Sequence, residues 1–309
     1  MKILVFYYRM LSILIVCFYS SFALAAEINS RILIINSDKS VGKYATIHSQ
    51  FKSAFKVRLF EIDMHGKTLT PTAFKQQLSR LHPDLIYTIG SKAYIQASAV
   101  IQNQPLIFSS MINWRRFTLN NNTYGVALEL QVDMPLYLYS YLFPKIRRLG
   151  VLYSKRYNQQ WFNTAQLQAQ EVGISIYGKV VEKPNEIKTA LKILLPKVDA
   201  IWLISDPIVL YDKNSMKTIF AKAAARKKPI FAYNTLFMKY GAILTIGADI
   251  PTMGRQAAGL AQDIINREAI DEKVQPPAGS HVILNLKKVH EYGIKINNAA
   301  LSSVEEIIQ

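Results

Sequence analysis

The chain has 309 residues, half of them apolar and 19% charged, with a formal net charge of +16. That length and balance supply two domains with cores of their own and exclude a chain dominated by disorder. A single cysteine, Cys17, excludes a disulfide framework and offers no thiolate pair to a metal.

Residues 1–25 read as a secretory signal. Lys2 and Arg9 give a positive start, residues 10–18 are mostly apolar, and Ala23-Leu24-Ala25 is a small-x-small cleavage site. The apolar run is short for a membrane span. Removal of this leader takes Cys17 with it and implies a periplasmic, secreted protein stabilised by packing alone.

Short β-branched and aromatic runs then alternate with helix-length amphipathic stretches, the rhythm of βα units around a parallel sheet. Strands are expected at residues 31–35, 57–62, 84–89 and 105–109. A helix at 70–81 is capped by Thr70, with Pro71 at its first position, where a missing N–H costs little. The same order recurs. Arg148-Leu-Gly-Val-Leu-Tyr-Ser154 echoes Arg31-Ile-Leu-Ile-Ile-Asn-Ser37, residues 174–181 form a second strand again, and Asp199-Ala-Ile-Trp-Leu-Ile-Ser-Asp206 echoes Asp84-Leu-Ile-Tyr-Thr-Ile-Gly-Ser91. Pro229-Ile-Phe-Ala-Tyr-Asn234 echoes Pro105-Leu-Ile-Phe-Ser-Ser110. A spacing of roughly 120 residues is far longer than a solenoid repeat, so it marks two similar α/β lobes.

After Asn234 the repeat is expected to break. A strand at 242–249, a helix at 251–266, the stiff turn Pro276-Pro277-Ala-Gly279, a strand at 281–284 and a helix at 285–291 complete the chain. These extra elements suggest that the chain crosses back, making a hinge of several segments. Lobe one is assigned residues 26–125 with 249–275, and lobe two residues 126–248 with 276–309.

Each strand turns polar at its carboxyl end, where parallel sheets meet their ligands. The candidate ligand-binding residues are Ser37, Ser91, Ser109 and Ser110 in the first lobe. In the second they are Tyr153, Asn158, Asp206, Tyr233 and Asn234, with Asp249 at the return crossing. Serine and asparagine at such places also cap helices, and each residue taken singly fits either role. Facing one another, the two sets line an interlobe cleft, a favoured place for a ligand.

The chemistry of an enzyme is missing. His48, His65, His82, His281 and His290 show no metal-ligand spacing, so no metal is expected. No Gly-x-Ser-x-Gly elbow and no glycine-rich nucleotide loop occurs, so neither a serine nucleophile nor a cofactor is expected. Asp206 and Asp249 as a carboxylate pair give a secreted hydrolase only thin support. The positive charge is scattered. Its densest cluster, Arg226-Lys227-Lys228, ends a helical run at 215–225 and offsets the helix dipole, so no nucleic-acid partner is expected.

Val198-Asp-Ala-Ile-Trp-Leu-Ile-Ser-Asp-Pro207, Gly150-Val-Leu-Tyr153, Gly254-Arg-Gln-Ala-Ala258, Pro277-Ala-Gly-Ser-His-Val-Ile-Leu-Asn-Leu286 and Tyr292-Gly-Ile-Lys-Ile296 resemble segments of the ABC-transporter substrate-binding family related to the tryptophan-binding TrpX type. The resemblance is strongest from Gly150 onward. It implies a type I periplasmic-binding fold with two Rossmann-like lobes, three crossovers, no catalysis and no cofactor. It also implies a small-molecule ligand such as an amino acid, and a monomer that docks on a membrane permease or, alternatively, on a membrane sensor. Asp206 is then the residue expected to meet a ligand amine. Lobe one departs from the family: Ser109-Ser-Met-Ile-Asn-Trp-Arg-Arg116 stands where many members carry an Asp-Pro corner, and Tyr124-Gly-Val-Ala127 where they carry Gly-x-Ser. Arg115 and Arg116 suit either a ligand carboxylate or the surface, and Trp114 and Trp161 either a flat ligand or the core.

Overall fold

Buried strands with amphipathic helices between them assemble into two mainly parallel sheets, one for each half of the sequence repeat. The computed structural model describes residues 30–309 apart from 57 and 102; the leader reading of residues 1–25 lies outside them. The first sheet holds β1 (Ile32–Asn36), β2 (Phe60–Asp63), β3 (Leu85–Ile89), β4 (Leu106–Ser109), β5 (Thr123–Val126) and β11 (Val274–Gln275). Their order is β11-β5-β4-β3-β1-β2, with every pair parallel. The second holds β6 (Arg148–Tyr153), β7 (Ser175–Val180), β8 (Ala200–Leu203), β9 (Ile230–Ala232), β10 (Leu244–Ala248), β12 (Ser280–Asn285) and β13 (Glu306–Ile308). Their order is β13-β12-β10-β9-β8-β6-β7, with only the β10–β12 pair antiparallel. The helices are α1 (Gly42–Ser53), α2 (Pro71–Leu81), α3 (Ser91–Ser98), α4 (Asp133–Leu142), α5 (Lys155–Glu171), α6 (Ile187–Leu194), α7 (Lys213–Ala224), α8 (Ile250–Asn266) and α9 (Leu286–Tyr292). Among the described residues no helix is long and apolar enough to cross a membrane.

The repeat seen in the sequence is a repeat of strand order: β2-β1-β3-β4-β5 in one sheet matches β7-β6-β8-β9-β10 in the other. The recurring Arg and Asp have a structural cause. Asp84, at the foot of β3, accepts the Arg31 backbone N–H at 2.8 Å. Asp199, at the foot of β8, accepts the Arg148 backbone N–H at 2.9 Å and its guanidinium at 2.7 Å. In both lobes one aspartate thus joins the lower ends of two neighbouring strands. The repeat also runs one strand further than the sequence suggested, because β5 is the counterpart of β10. β5 is short, and its Gly125 lies where any Cβ would collide with the Phe108 ring, so it lacks the apolar run that marks the other strands.

Period-two alternation divides each strand between two cores. Ile32 and Ile34 face Ile47 and Phe51, while Leu33 and Ile35 face Phe74, Tyr94 and Phe108. The edge strand β2 starts at Phe60 rather than at the expected position 57 and pairs with β1 alone. Thr70 accepts the Ala73 N–H and Pro71 opens α2, as the sequence implies.

Three segments cross between the sheets: 127–132, the step from β10 into α8, and 276–279. Helix α8 follows a strand of the second sheet, yet buries Met253, Ala257, Ala258 and Ala261 against Ile32, Ile34 and Phe51 beneath the first. Gly254 permits this, since a Cβ there would lie 2.6 Å from the Ile47 carbonyl oxygen.

Candidate ligand-binding site

The carboxyl ends of β4, β8 and β9 and the first crossing segment converge on a hollow between the lobes. Lobe two supplies an aromatic floor. Trp202 of β8 meets Trp161 of α5 edge-on at 4.9 Å and Tyr139 of α4 at 5.4 Å. Ile204, Ser205, Tyr233, Ile246 and Gly247 continue this wall. A Cβ at Gly247 would lie 3.0 Å from the Tyr233 carbonyl oxygen, so glycine lets these strand ends approach without a shift of the backbone. Burial pushes the Tyr233 phenol up to about 12, opposed by the nearby Ser205 hydroxyl.

The opposite wall comes from the turn after β4 and from the crossing. Ser110 and Asn113 hold left-handed backbones at φ 54° and 46°, a conformation side chains avoid unless the surroundings impose it. Asn113 donates its backbone N–H to Glu129 Oε1 at 2.6 Å and reaches across the cleft with Nδ2 to the Ser205 carbonyl at 3.2 Å. Glu129 stands in the crossing segment. Burial raises its carboxyl above the ordinary range, against the Asn113 N–H and the positive charge of Arg115. The Ser205 hydroxyl also favours the ionised form, yet Oε2 is buried with no hydrogen-bond partner among the described residues. The Arg115 guanidinium is exposed and lies 4.7 Å from the Trp114 ring centre.

The void among these groups measures 50 Å³, enough for only a few water molecules. A ligand of amino-acid size therefore enters with the lobes further apart or with a wall side chain displaced. A wider hollow of 730 Å³ adjoins it, shares Arg115, Glu129 and Leu130, and is also lined by Trp114, Gln131 and Glu272.

Of the residues singled out in the sequence, Asn158, Tyr233, Trp161 and Arg115 line the hollow. Asp206 lies buried just behind it, engaged by protein alone. Its Oδ2 accepts the Ser154 N–H at 2.7 Å, the Ser154 hydroxyl at 2.8 Å and Asn158 Nδ2 at 2.7 Å. Its Oδ1 accepts the Ile208 and Val209 N–H groups at 2.9 and 3.0 Å. Two carboxylate oxygens offer about four lone-pair sites, so none remains for a ligand amine, and in this conformation Asp206 builds the wall.

The other candidates have structural partners. Ser37 Oγ caps α3 by accepting the Ala93 N–H, and Ser109 pairs with the Tyr87 hydroxyl at 2.5 Å. Tyr153 stacks on Phe162 at 4.3 Å in the lobe-two core. Asn234 accepts the Leu236 N–H, and Asp249 caps α8 through Thr252. Ser91 opens α3. Ser110 is buried at the end of β4 with its hydroxyl unpaired among the described residues. Sequence reasoning missed Glu129, Asn113, Ser205 and Trp202. A signal for Glu129 existed: it is the only acid between Asp84 and Asp133, set in an apolar run. Among the described residues no group of three His, Cys, Asp or Glu side chains can hold a metal ion.

Two α/β lobes of matching strand order, three crossings and a hollow between them define a two-lobed solute-binding protein. The chain belongs to the ABC transporter substrate binding protein family, whose model matches residues 56–308. This is a family of binding proteins, not enzymes, which sets the hydrolase aside. A tyrosine-binding protein of Clostridioides difficile strain R20291 is 23% identical over 198 residues, 61% of this chain and 56% of that protein; the match thus spans little more than half of the relative. Among solved structures, a ligand-free, open substrate-binding protein with adhesive properties from Clostridium difficile superposes with a TM-score of 0.69 at 19% identity, covering 91% of this chain and 99% of that one. An ABC domain in complex with L-Trp from Streptococcus pneumonia gives 0.63 at 19% identity, covering 91% and 100%. At these identities the two structures show the fold alone.

Proposed function

We propose that this protein captures a free α-amino acid with an aromatic side chain in the interlobe hollow, and that its lobes shut over the ligand. The observation that carries the reading is the composition of the two walls. Trp161, Trp202, Tyr139 and Tyr233 form an aromatic surface in one lobe, and Glu129 and Arg115 on the other side set opposite charges beside it. An amino acid carries the complementary set: a flat side chain, an ammonium and a carboxylate. The tyrosine-binding relative and the tryptophan complex of the structural neighbour support the same class. The proposal extends to lobes formed by residues 26–125 with 249–275 and by residues 126–248 with 276–309. It further includes export through a cleaved leader to the periplasm, a monomeric state, and delivery to the membrane permease of an ABC transporter.

The test is a thermal-shift and calorimetric screen of residues 26–309 against L-tyrosine, L-tryptophan, L-phenylalanine, aliphatic and charged amino acids, sugars and nucleobases. A ligand at 100 times its Kd adds about 2.7 kcal/mol, a rise of roughly 5 °C in a protein of this size. The expected result is a shift confined to aromatic amino acids. A shift from sugars or nucleobases alone would replace the reading.

A further inference from the structure

The hollow holds two carboxylates in opposite conditions. Asp206 is closed off by its five donors. Glu129 has one oxygen fixed and the other free: Oε1 is held at 2.6 Å by the Asn113 N–H, and Oε2 is buried without a partner among the described residues. Buried acceptors in folded proteins are nearly always paired, and an exception calls for an explanation. The neighbouring cations do not supply the partner. Arg115 lies over Trp114, and Lys43, although its ionisation feels the Glu129 charge, makes no bond to Oε2. The fixing of Oε1 matters as much as the freedom of Oε2. Asn113 is buried, and its side chain is tied across the cleft to the Ser205 carbonyl at 3.2 Å. The carboxylate is therefore aimed by the same residue that links the two lobes.

We propose that Glu129, not Asp206, receives the ammonium of the ligand through Oε2. The ammonium supplies the N–H donor and the positive charge that the buried oxygen lacks, and charge-assisted pairs of this kind are the strong ones. Glu129 would thereby select ligands that carry a cationic nitrogen beside the aromatic floor and reject otherwise identical acids. The inference rests on the amino-acid reading above and names the residue that reads the amine.

The experiment uses L-tyrosine and 3-(4-hydroxyphenyl)propionate, the same molecule without its ammonium, titrated by calorimetry into the wild-type protein and Glu129→Gln. The glutamine keeps the shape and the acceptor for the Asn113 N–H but removes the charge. Wild type is expected to prefer tyrosine by on the order of 100-fold, the scale of losing one partner of a buried charged pair. Glu129→Gln should lose most of that preference while binding the propionate no worse than wild type does. Retained tyrosine affinity in Glu129→Gln, or an equal loss of both probes, overturns the proposal. If Glu129→Gln does not fold by circular dichroism, Glu129→Asp replaces it: a preference for tyrosine over the propionate then supports the proposal, and equal affinities overturn it. A wild-type protein that binds no aromatic amino acid fails the functional reading first and this inference with it. A wild type that binds tyrosine while Glu129→Gln binds it equally fails this inference alone.

Discussion

The two walls of the cleft are built from the same strand order but finished in opposite ways. In lobe two every lone pair of the buried Asp206 is engaged, tying the start of α5, the end of β8 and the turn at 207–210 into one piece. On the opposite wall the turn after β4 and the crossing segment leave the Ser110 hydroxyl and Glu129 Oε2 buried and unpaired among the described residues. There the backbone is also held left-handed at Ser110 and Asn113. A binding protein needs both kinds of surface. One wall must keep its shape whether or not ligand is present, since a pre-organised surface loses less freedom on binding. The other must gain something from the ligand that water and protein do not supply, or closure would have no differential energy to draw on.

The sharpest way to break this comparison is Asp206→Ala. If Asp206 is framework, the substitution strands the Ser154, Ile208 and Val209 N–H groups and the Asn158 amide in a buried site. The expected loss is about 3 kcal/mol or more, seen in denaturant unfolding as a lower midpoint at unchanged slope. A substitution that left the midpoint in place and removed only tyrosine binding would return Asp206 to the role of amine receptor. The opposite wall gives the opposite sign. Ser110→Ala deletes a hydroxyl that has no partner among the described residues, so stability should hold or rise by roughly 1 kcal/mol. A fall of the size expected for Asp206→Ala would show that the lobe-one wall is also complete without ligand.

The fold was legible for reasons the structure makes concrete. Strands such as Ile32–Asn36 and Leu85–Ile89 are buried on both faces, so they read as apolar runs, and the Arg31–Asp84 and Arg148–Asp199 ties repeat at matching places. What escaped was the short strand β5, where contact with Phe108 demands a glycine in place of a β-branched residue. The site was legible only in part. Polar residues at strand ends stood out, but most of them proved to cap helices or brace turns, as Ser37, Asn234 and Asp249 do. Pattern alone does not distinguish a saturated carboxylate from a free one, because that depends on donors from distant segments. Glu129, Asn113 and Ser205 meet only once the crossing segment, the turn after β4 and the end of β8 are brought together.

The smallest effect sharpens the comparison between two carboxylates, Glu129 in the crossing segment and Glu61 in lobe one. Burial raises Glu129, so its ionisation costs the folded state nothing at low pH and works against it increasingly as pH rises from the ordinary glutamate value of 4.5 through its raised folded pKa. Glu61, at the β2 edge, runs the other way. Partial burial alone would raise it, but hydrogen bonds from Lys52 and Lys39 at 2.6 and 3.1 Å, with the charge of His48, hold it at about 2. Its contribution is therefore present above the ordinary glutamate value of 4.5 and disappears as pH falls from there through about 2. Glu61 is only partly buried, and both of its lysine partners are more exposed than it is, so screening keeps the effect of Glu61→Gln at neutral pH below about 1 kcal/mol. Unfolding curves of the two proteins should differ by that amount at pH 7, close together below pH 4, and coincide near pH 2. A gap that stays constant with pH would mean that Glu61 acts through packing and not through its charge.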